Sequence, residues 1–449
     1  MPASPYDTDG LPPIRAGLAR RRITPPIPCL MAGFFHEREA TSVRDDLFCN
    51  AAVIESDGRR IALVNLDLIA IDRGWGDEAR SLIAERLGMP PEAVLICATH
   101  THTGPAVRPA VREGWVNFEW LDALPEVIAD TVSEAADGMF DAMLMPGRTS
   151  DETSVCRIAR LRDGSEHMGA SADGRIGPAG VPDHELLALG IRELDGTPRG
   201  MVVCYGMHAN VIGGGSADFI SADWQGEVYR AASGVYGESF VTVLLNAPNG
   251  DVYQKKWEPT RLPQSGPAKA VQAGRTLAAA AINCSEKAEP LESGGVSWEW
   301  EDLSIPYYER TERLRKHIDH LRAQDDLPYL DGWWVRRFDE WEHEGEVAEV
   351  PVQVLRLGDL TFVGLPSEVF AAWGLEVKRW SPTEWTAVAS LSNAWFGYIP
   401  TTDQASRWAY GARPTQSLRL IPDAGRRIAD AAQRLMARPG TEEAGRARR

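Results

Sequence analysis

The sequence of 449 residues lacks any hydrophobic run long enough to cross a membrane. A membrane-spanning helix needs roughly 20 consecutive apolar residues. The longest apolar stretch, residues 61–71, is interrupted by Asn65 and Asp67. The polar N-terminus is not followed by the apolar segment of a secretory signal. We therefore expect a cytoplasmic protein that does not insert stably into a membrane.

Closely spaced cysteine pairs are also lacking, so the sequence offers no disulfide framework and no cysteine-based metal motif. Cys97 and Cys204 lie in apolar, strand-like segments, where a buried free thiol is the expected state. Cysteines that remain as free thiols fit a reducing compartment. The six cysteines are Cys29, Cys49, Cys97, Cys156, Cys204 and Cys284.

Positive charge is in short supply. Lys and Arg number 47 against 64 Asp and Glu, which gives a formal net charge of −17. Such a chain repels phosphate backbones and anionic membranes, so nucleic acid is excluded as a partner. We expect a small-molecule or amphipathic substrate, and the sequence is also compatible with a homo-oligomer.

Strand-like and helix-like segments alternate along the chain, and this alternation predicts an α/β fold with a mixed β-sheet core flanked by helices. Short, nearly continuous apolar runs are typical of buried strands. Strands are predicted at residues 60–68, 93–98, 200–205, 240–245, 360–364 and 386–391. Helices are predicted at residues 76–87, 117–138, 222–232, 268–282, 368–380 and 419–438.

Polar residues cluster just past the C-terminal ends of these predicted strands. In α/β proteins the crevice at the carboxyl ends of the strands is where ligands bind. One such placement is unremarkable because turns are polar, but five together predict a shared site in these loops. The residues are His100 and His102, His208, Asn249 to Asp251, Glu368, and Tyr398.

Two of these loops carry three of the chain's nine histidines. A catalytic zinc site typically has three protein ligands, drawn from imidazole and carboxylate groups, and an open position for water. His100, His208 and Glu368 satisfy that count. H-x-H is a weak motif, so from spacing alone these residues are more typical of satisfied polar groups at loop starts or of hydrogen-bonded core histidines.

Several segments match, in order and approximate spacing, the motifs of one enzyme family. Residues 99–105 (T-H-T-H-T-G-P) are similar to its H-T-H-S-G-P loop, with threonine for serine. The chain thereby resembles the catalytic domain of the neutral/alkaline (non-lysosomal) ceramidases, a family of zinc amidases. Further matching segments are 16–18 (A-G-L), 23–25 (I-T-P), 31–33 (M-A-G), 59–67, 182–186 (P-D-H-E-L), 206–208 (G-M-H), 221–226 (S-A-D-W-Q-G), 365–368 (L-P-S-E), 391–393 (L-S-N) and 397–402 (G-Y-I-P-T-T).

The resemblance implies a zinc ion and assigns roles to several of the matching residues. It leaves His102 for proton transfer or substrate orientation, and it implies that Tyr410 and Arg157 stabilise the oxyanion. The alternative for Arg157 is a surface arginine. Imidazole and carboxylate ligands also accept manganese or iron. The implied zinc ligands are His100, His208, Glu368 and Tyr398.

The activity that the resemblance implies is zinc-dependent hydrolysis of an amide (N-acyl) bond by attack of metal-bound water. Residues 15–438 would form a single catalytic domain between flexible segments 1–14 and 439–449. We expect a smaller or more soluble substrate than ceramide. The alternatives are a zinc-dependent hydrolase of an ester or glycosidic bond, and a binding protein that has lost catalysis.

The sequence departs from the family at two points. Tyr253 stands where the family has an active-site serine, and the chain ends about where the family's catalytic domain ends, so we expect no C-terminal immunoglobulin-like domain. Asp67 and Asp223 are candidates for orienting the ligand imidazoles, or alternatively they cap loops. Further residues expected to contact the substrate or support the ligands are Asn249, Asp251 and Tyr253.

Overall fold

The computed structural model describes residues 13–107, 118–168, 174–213, 217–257, 260–292 and 294–438. The segments expected to be flexible, 1–14 and 439–449, lie outside these residues except for residues 13 and 14. The described residues form a mixed α/β structure built on two sheets with helices packed on them. The predicted fold class is therefore confirmed.

The larger sheet contains strands β1 (Ile14–Arg22), β2 (Phe48–Ser56), β3 (Arg59–Leu66), β4 (Val94–Ala98), β5 (Phe140–Ser150), β6 (Glu185–Glu193), β7 (Pro198–Tyr205) and β8 (Val241–Asn246). Their spatial order is β8-β7-β6-β5-β1-β2-β3-β4. The pairs at the two edges, β3–β4 and β7–β8, are parallel, and the other neighbours are antiparallel.

The second sheet contains β9 (Val296–Pro306), β10 (Val347–Leu357), β11 (Leu360–Gly364) and β12 (Trp385–Ala389), in that spatial order. Only its β11–β12 pair is parallel. Several short ladders join the loops. They are Cys29–Leu30 with Glu39–Ala40, Ser42–Val43 with Phe219–Ile220, Val155–Cys156 with Val252–Tyr253, Glu368–Val369 with Tyr398–Ile399, and the three strands Ile158–Leu161, Glu166–Met168 and Arg175–Pro178.

Among the described residues, the α-helices are α1 (Arg73–Leu87), α2 (Phe118–Asp122), α3 (Leu124–Asp137), α4 (Asp223–Tyr236), α5 (Pro267–Lys287), α6 (Glu312–Arg322), α7 (Tyr329–Asp339), α8 (Ala371–Trp380), α9 (Thr402–Arg407) and α10 (Ala424–Ala437). None of these helices has the length and apolar character that a membrane span requires. Glu368 was predicted to lie in a helix, but it lies in a short strand. The N–H of Glu368 donates to the carbonyl of Gly397, and this bond holds Glu368 beside Tyr398.

The core has the layer order helices, sheet, sheet, helices. Since side chains alternate across a strand, β2 directs Val53 to the face covered by α1, α3, α4 and α5, and Ile54 to the space between the sheets. In the second sheet, Phe362 faces the larger sheet, whereas Val363 faces α8 and α10. Burial of these apolar faces supplies the main driving force for folding.

The larger sheet curls so strongly that its two edges meet. Strand β8, at one edge, contacts β3 and β4 at the other. The N–H of Leu244 donates to the Asn65 side-chain oxygen at 2.9 Å, and the Asn246 amide donates to the carbonyl of Thr99 at 2.9 Å. Loops that leave opposite edges of the sheet are thereby brought together.

The cysteines are all buried free thiols, as predicted for Cys97 and Cys204. Burial raises the pKa of Cys49 and of Cys204 to about 12. These thiols therefore stay protonated at neutral pH and act as small core residues.

Candidate metal centre

Three buried imidazoles converge where the loops after β4 and β7 meet. The Nε2 atom of His100 lies 3.1 Å from that of His208 and 3.3 Å from that of His102. One ligand atom from each of the three histidines lies within 4.8 Å of the other two. The loops that the sequence analysis grouped thus share one site.

Backbone carbonyls orient two of these rings. The Nδ1 atom of His100 lies 2.6 Å from the Ile69 oxygen, and that of His208 lies 3.3 Å from the Asn249 oxygen. Because a carbonyl only accepts, each Nδ1 donates, and each Nε2 is turned towards the cluster. Burial, with help from the Arg157 charge, holds the pKa of His208 well below its usual range, so this ring is neutral.

Glu368 contributes a carboxylate oxygen to the same point. Its Oε2 lies 3.3 Å from the Nε2 of His100 and 3.9 Å from the Nε2 of His208. Oε2 is buried without a hydrogen-bond donor, whereas Oε1 accepts the indole N–H of Trp395 at 3.1 Å. Burial alone would raise the pKa of Glu368, but His100, Tyr398 and Arg157 outweigh it and hold the pKa below its ordinary value.

The wall of the site next to Glu368 is formed by Tyr398, Arg157 and Tyr410. Tyr398 pairs with Glu368 in the short parallel ladder. The Arg157 guanidinium donates to the Tyr398 oxygen at 2.9 Å and to the carbonyl of Gly250 at 2.7 Å, and its carbon lies 4.8 Å from the centre of the Tyr410 ring. Burial raises the pKa of Tyr398 well above its ordinary value, while the Arg157 charge acts in the opposite direction. Arg157 is buried, so it is not a surface arginine.

These residues fit a divalent metal ion. Ligand atoms at about 2.1 Å around a tetrahedral zinc are about 3.4 Å apart, close to the separations among His100, His208 and Glu368. Two imidazole nitrogens and a carboxylate oxygen converge on one buried point, an arrangement that a bound cation stabilises. The residues described here that can hold it are His100, His208, Glu368 and, alongside them, His102 and Tyr398.

Asp67 and Asp223 lie near the site, but their hydrogen bonds go to other groups. Asp67 accepts from the Phe48 N–H and the Tyr229 hydroxyl, both at 2.9 Å. Asp223 accepts from backbone N–H groups of the loop that follows His208, at Val211 and Ile212, and of Trp224. Both carboxylates thus cap loops, and carbonyl oxygens orient the imidazoles of His100 and His208.

The turn after β8 connects the ligands. Asn249 gives its carbonyl to His208, and both polar atoms of its side-chain amide are buried without a partner. The next residue, Gly250, donates its N–H to the carbonyl of Val369, and Asp251 accepts the N–H of Ala371 at the start of α8. The turn therefore holds the His208 loop and the Glu368 strand together. Tyr253 is buried beside Arg157, and its hydroxyl has no partner.

Two residues at the site were not found from the sequence. Trp395 holds Glu368 through its indole N–H, and Arg38 donates to the backbone carbonyl of His102 at 2.6 Å. Trp395 follows the L-S-N motif closely, which is a weak signal. Arg38 reaches the site through its bond to His102, 64 positions away, which no local sequence pattern indicates.

No protein-family model matches the sequence, and no curated protein matches it. Among solved structures, neutral ceramidase from Pseudomonas aeruginosa superposes with a TM-score of 0.72 at 17% sequence identity, covering 95% of this chain and 74% of that chain. A ceramidase complexed with C2 gives a TM-score of 0.70 at the same identity and coverage. The chain therefore has the fold of neutral ceramidase, in a divergent sequence, and the resemblance seen in the motifs is confirmed for the fold.

Replacing Trp395 by Phe should weaken zinc binding. The change removes the N–H that fixes Glu368 Oε1 but keeps an aromatic ring. We expect the zinc dissociation constant to rise about 10- to 100-fold, as is usual when a group that orients a ligand is lost. Competition with a chromogenic chelator measures it. Trp300→Phe is the matched control, since its indole donates to Asp302 at the same distance of 3.1 Å but away from the site. Equal affinities in both variants would contradict this role.

Gly250→Ala should disturb the Glu368 strand. A Cβ at Gly250 would lie 2.4 Å from the Glu368 carbonyl oxygen and 2.9 Å from the Phe370 ring. We expect a loss of about 1–3 kcal/mol in the free energy of unfolding, as in other overpacked sites, together with weaker zinc binding. Gly234→Ala is the control because a Cβ there meets open space. Denaturant unfolding that gives the same stability for both variants would refute the packing argument.

The titration of Asp67 should appear in the pH dependence of stability. Burial raises the pKa of Asp67 to about 7, above the unfolded value of about 3.9. Between these values the folded chain holds a proton that the unfolded chain has lost, so this group makes the free energy of unfolding fall as pH rises, by up to about 1.4 kcal/mol per pH unit.

The Asp67→Asn variant lacks this titrating carboxyl group. Between pH 4.5 and pH 7, the free energy of unfolding of the variant should therefore fall less steeply with pH, or rise more steeply, than that of the wild type. Urea unfolding of both metal-free proteins across this range measures the difference. Parallel curves would show that Asp67 has an ordinary pKa in the folded state.

Proposed function

We propose that this protein is a zinc-dependent hydrolase that cleaves an amide (N-acyl) bond. The observation that carries the proposal is the convergence of the Nε2 atoms of His100 and His208 and the Oε2 atom of Glu368 on one buried point. The fold shared with neutral ceramidase supports the amide class, because ceramidases are hydrolases of that bond. In this proposal His100, His208 and Glu368 hold the ion, with Tyr398 beside them.

A bound zinc ion would lower the pKa of a water molecule towards about 7 and polarise the substrate carbonyl. Arg157 supplies fixed positive charge at the adjoining wall, where its guanidinium already bonds the Tyr398 oxygen. Together with Tyr410 it is placed to stabilise negative charge on the carbonyl oxygen, the point at which preorganised electrostatics contributes most.

His102 is the residue for proton transfer in this proposal. Carbonyls lock the rings of His100 and His208, but the Nδ1 atom of His102 faces the backbone of Gly33 without a well-formed hydrogen bond. Burial lowers the pKa of His102 well below its usual range, with smaller contributions from His100 and Arg157. The ring is therefore neutral before the reaction. It can therefore accept a proton during attack on the carbonyl and deliver it to the leaving amine.

The substrate is proposed to be smaller or more soluble than ceramide. Tyr253 is buried beside Arg157, where its ring occupies space that a serine would leave open. Its hydroxyl, the Asn249 amide and the Nε atom of Arg157 are buried without partners. These polar atoms favour a substrate that brings hydrogen-bonding groups of its own.

The proposal is tested by metal content and hydrolysis together. Purified protein should hold about one zinc per chain, and the zinc-loaded protein should hydrolyse N-acyl compounds in preference to matched esters and glycosides. His208→Ala should lose zinc and lower kcat by about 100-fold or more, since one of the ligands is removed. His320→Ala, an exposed histidine of α6, should change neither quantity. Hydrolysis of esters alone, or full activity in His208→Ala, would overturn the proposal.

A further inference from the structure

Arg38 is a buried cation next to the candidate metal centre. It lies in the turn that leads from Cys29–Leu30 to Glu39–Ala40 and is only 7% exposed. One of its nitrogens, Nη2, donates to the carbonyls of Ala32 and His102. Its guanidinium lies over the face of Phe34, 4.3 Å from the ring centre.

The other two nitrogens of this guanidinium, Nε and Nη1, are buried and have no hydrogen-bond partner. Two other buried arginines have carboxylate partners, since Arg80 pairs with Asp77 and Arg192 pairs with Glu286. Arg157 instead donates to the Tyr398 oxygen and to the carbonyl of Gly250. Within the described residues Arg38 has no ion pair. A buried charge without a counter-charge is costly, so an anionic partner is the missing element.

This guanidinium is close to the proposed chemistry. Besides bonding the His102 carbonyl, it stacks on Phe34, whose ring meets the His102 imidazole edge-on with 5.5 Å between ring centres. One aromatic ring thus separates the charge of Arg38 from the imidazole assigned to proton transfer. A substrate group held by Arg38 would lie on the side of His102, which is the side of the leaving amine.

We propose that Arg38 is an anion-binding residue of the substrate site and that the substrates are N-acyl amino acids, whose amine portion carries a carboxylate. The proposal rests on the hydrolase function given above. One unpartnered guanidinium supplies a single positive charge, which suits a carboxylate better than a doubly charged phosphate. Hydrogen bonds to charged groups are strong enough to set specificity.

The experiment compares N-octanoylglycine with N-octanoylethanolamine, which differ only in a carboxylate against a hydroxymethyl group. Calorimetry gives the dissociation constant of each probe with zinc-loaded protein, and steady-state assays give KM. The wild type should bind the glycine compound more tightly. Arg38→Met should reduce that preference about 10- to 100-fold with unchanged zinc content.

Arg38→Gln provides a second variant if Arg38→Met fails to fold, because its amide can donate to a backbone carbonyl without carrying charge. Arg86→Met is the control, since Arg86 pairs with Glu126 and Asp130 on the surface between α1 and α3. The control should keep the preference of the wild type, and Arg38→Gln should lose it.

Equal binding of the two probes by the wild type would overturn the proposal, as would an equal loss for both probes in the Arg38 variants. If both compounds are hydrolysed with an unchanged ratio in Arg38→Met, the anion site is refuted and the hydrolase function stands. If neither compound is hydrolysed but the glycine compound binds in an Arg38-dependent way, the anion site stands and the hydrolase function fails.

Discussion

The meeting of two imidazole nitrogens and a carboxylate oxygen inside the protein is the contact on which the rest of this structure depends. The Nε2 atom of His100 lies 3.1 Å from the Nε2 atom of His208 and 3.3 Å from the Oε2 atom of Glu368. Burying three such polar groups together is costly unless positive charge is shared among them. The fold must therefore force the three groups together, and a bound metal ion would offset that cost.

The curled sheet provides this constraint. His100 follows β4 at one edge of the larger sheet, and His208 follows β7 next to the other edge. Asn246 connects three of the loops: its amide donates to the Thr99 carbonyl, and its own carbonyl accepts the N–H of Ser390 after β12. Because these bonds are buried, moving any one loop would leave polar groups unsatisfied, which makes the site rigid.

The parts of the fold that could be predicted from the sequence are the parallel pairs. The six predicted strands are β3, β4, β7, β8, β11 and β12, which form the three parallel pairs, and buried parallel strands read as continuous apolar runs. Strands with only antiparallel neighbours were missed, since β1 ends in three arginines and β9 alternates tryptophan with glutamate. The candidate ligands follow the identifiable strands, so their grouping was predictable, whereas Arg38 and Trp395 reach the site through long-range contacts.

The charges around the site have a consequence for its ligands. The buried imidazoles of His102 and His208 are neutral, so the charged groups that contact the cluster include Glu368, Arg157 and Arg38. With a bound dication, the site would hold the two charges of the metal and two guanidinium charges against a single carboxylate. It would then carry an excess of positive charge, although the net charge of the protein is −17. A buried site with such an excess attracts anions strongly. In the proposed hydrolysis the same balance would stabilise an oxyanion, and it favours a substrate that is itself negatively charged.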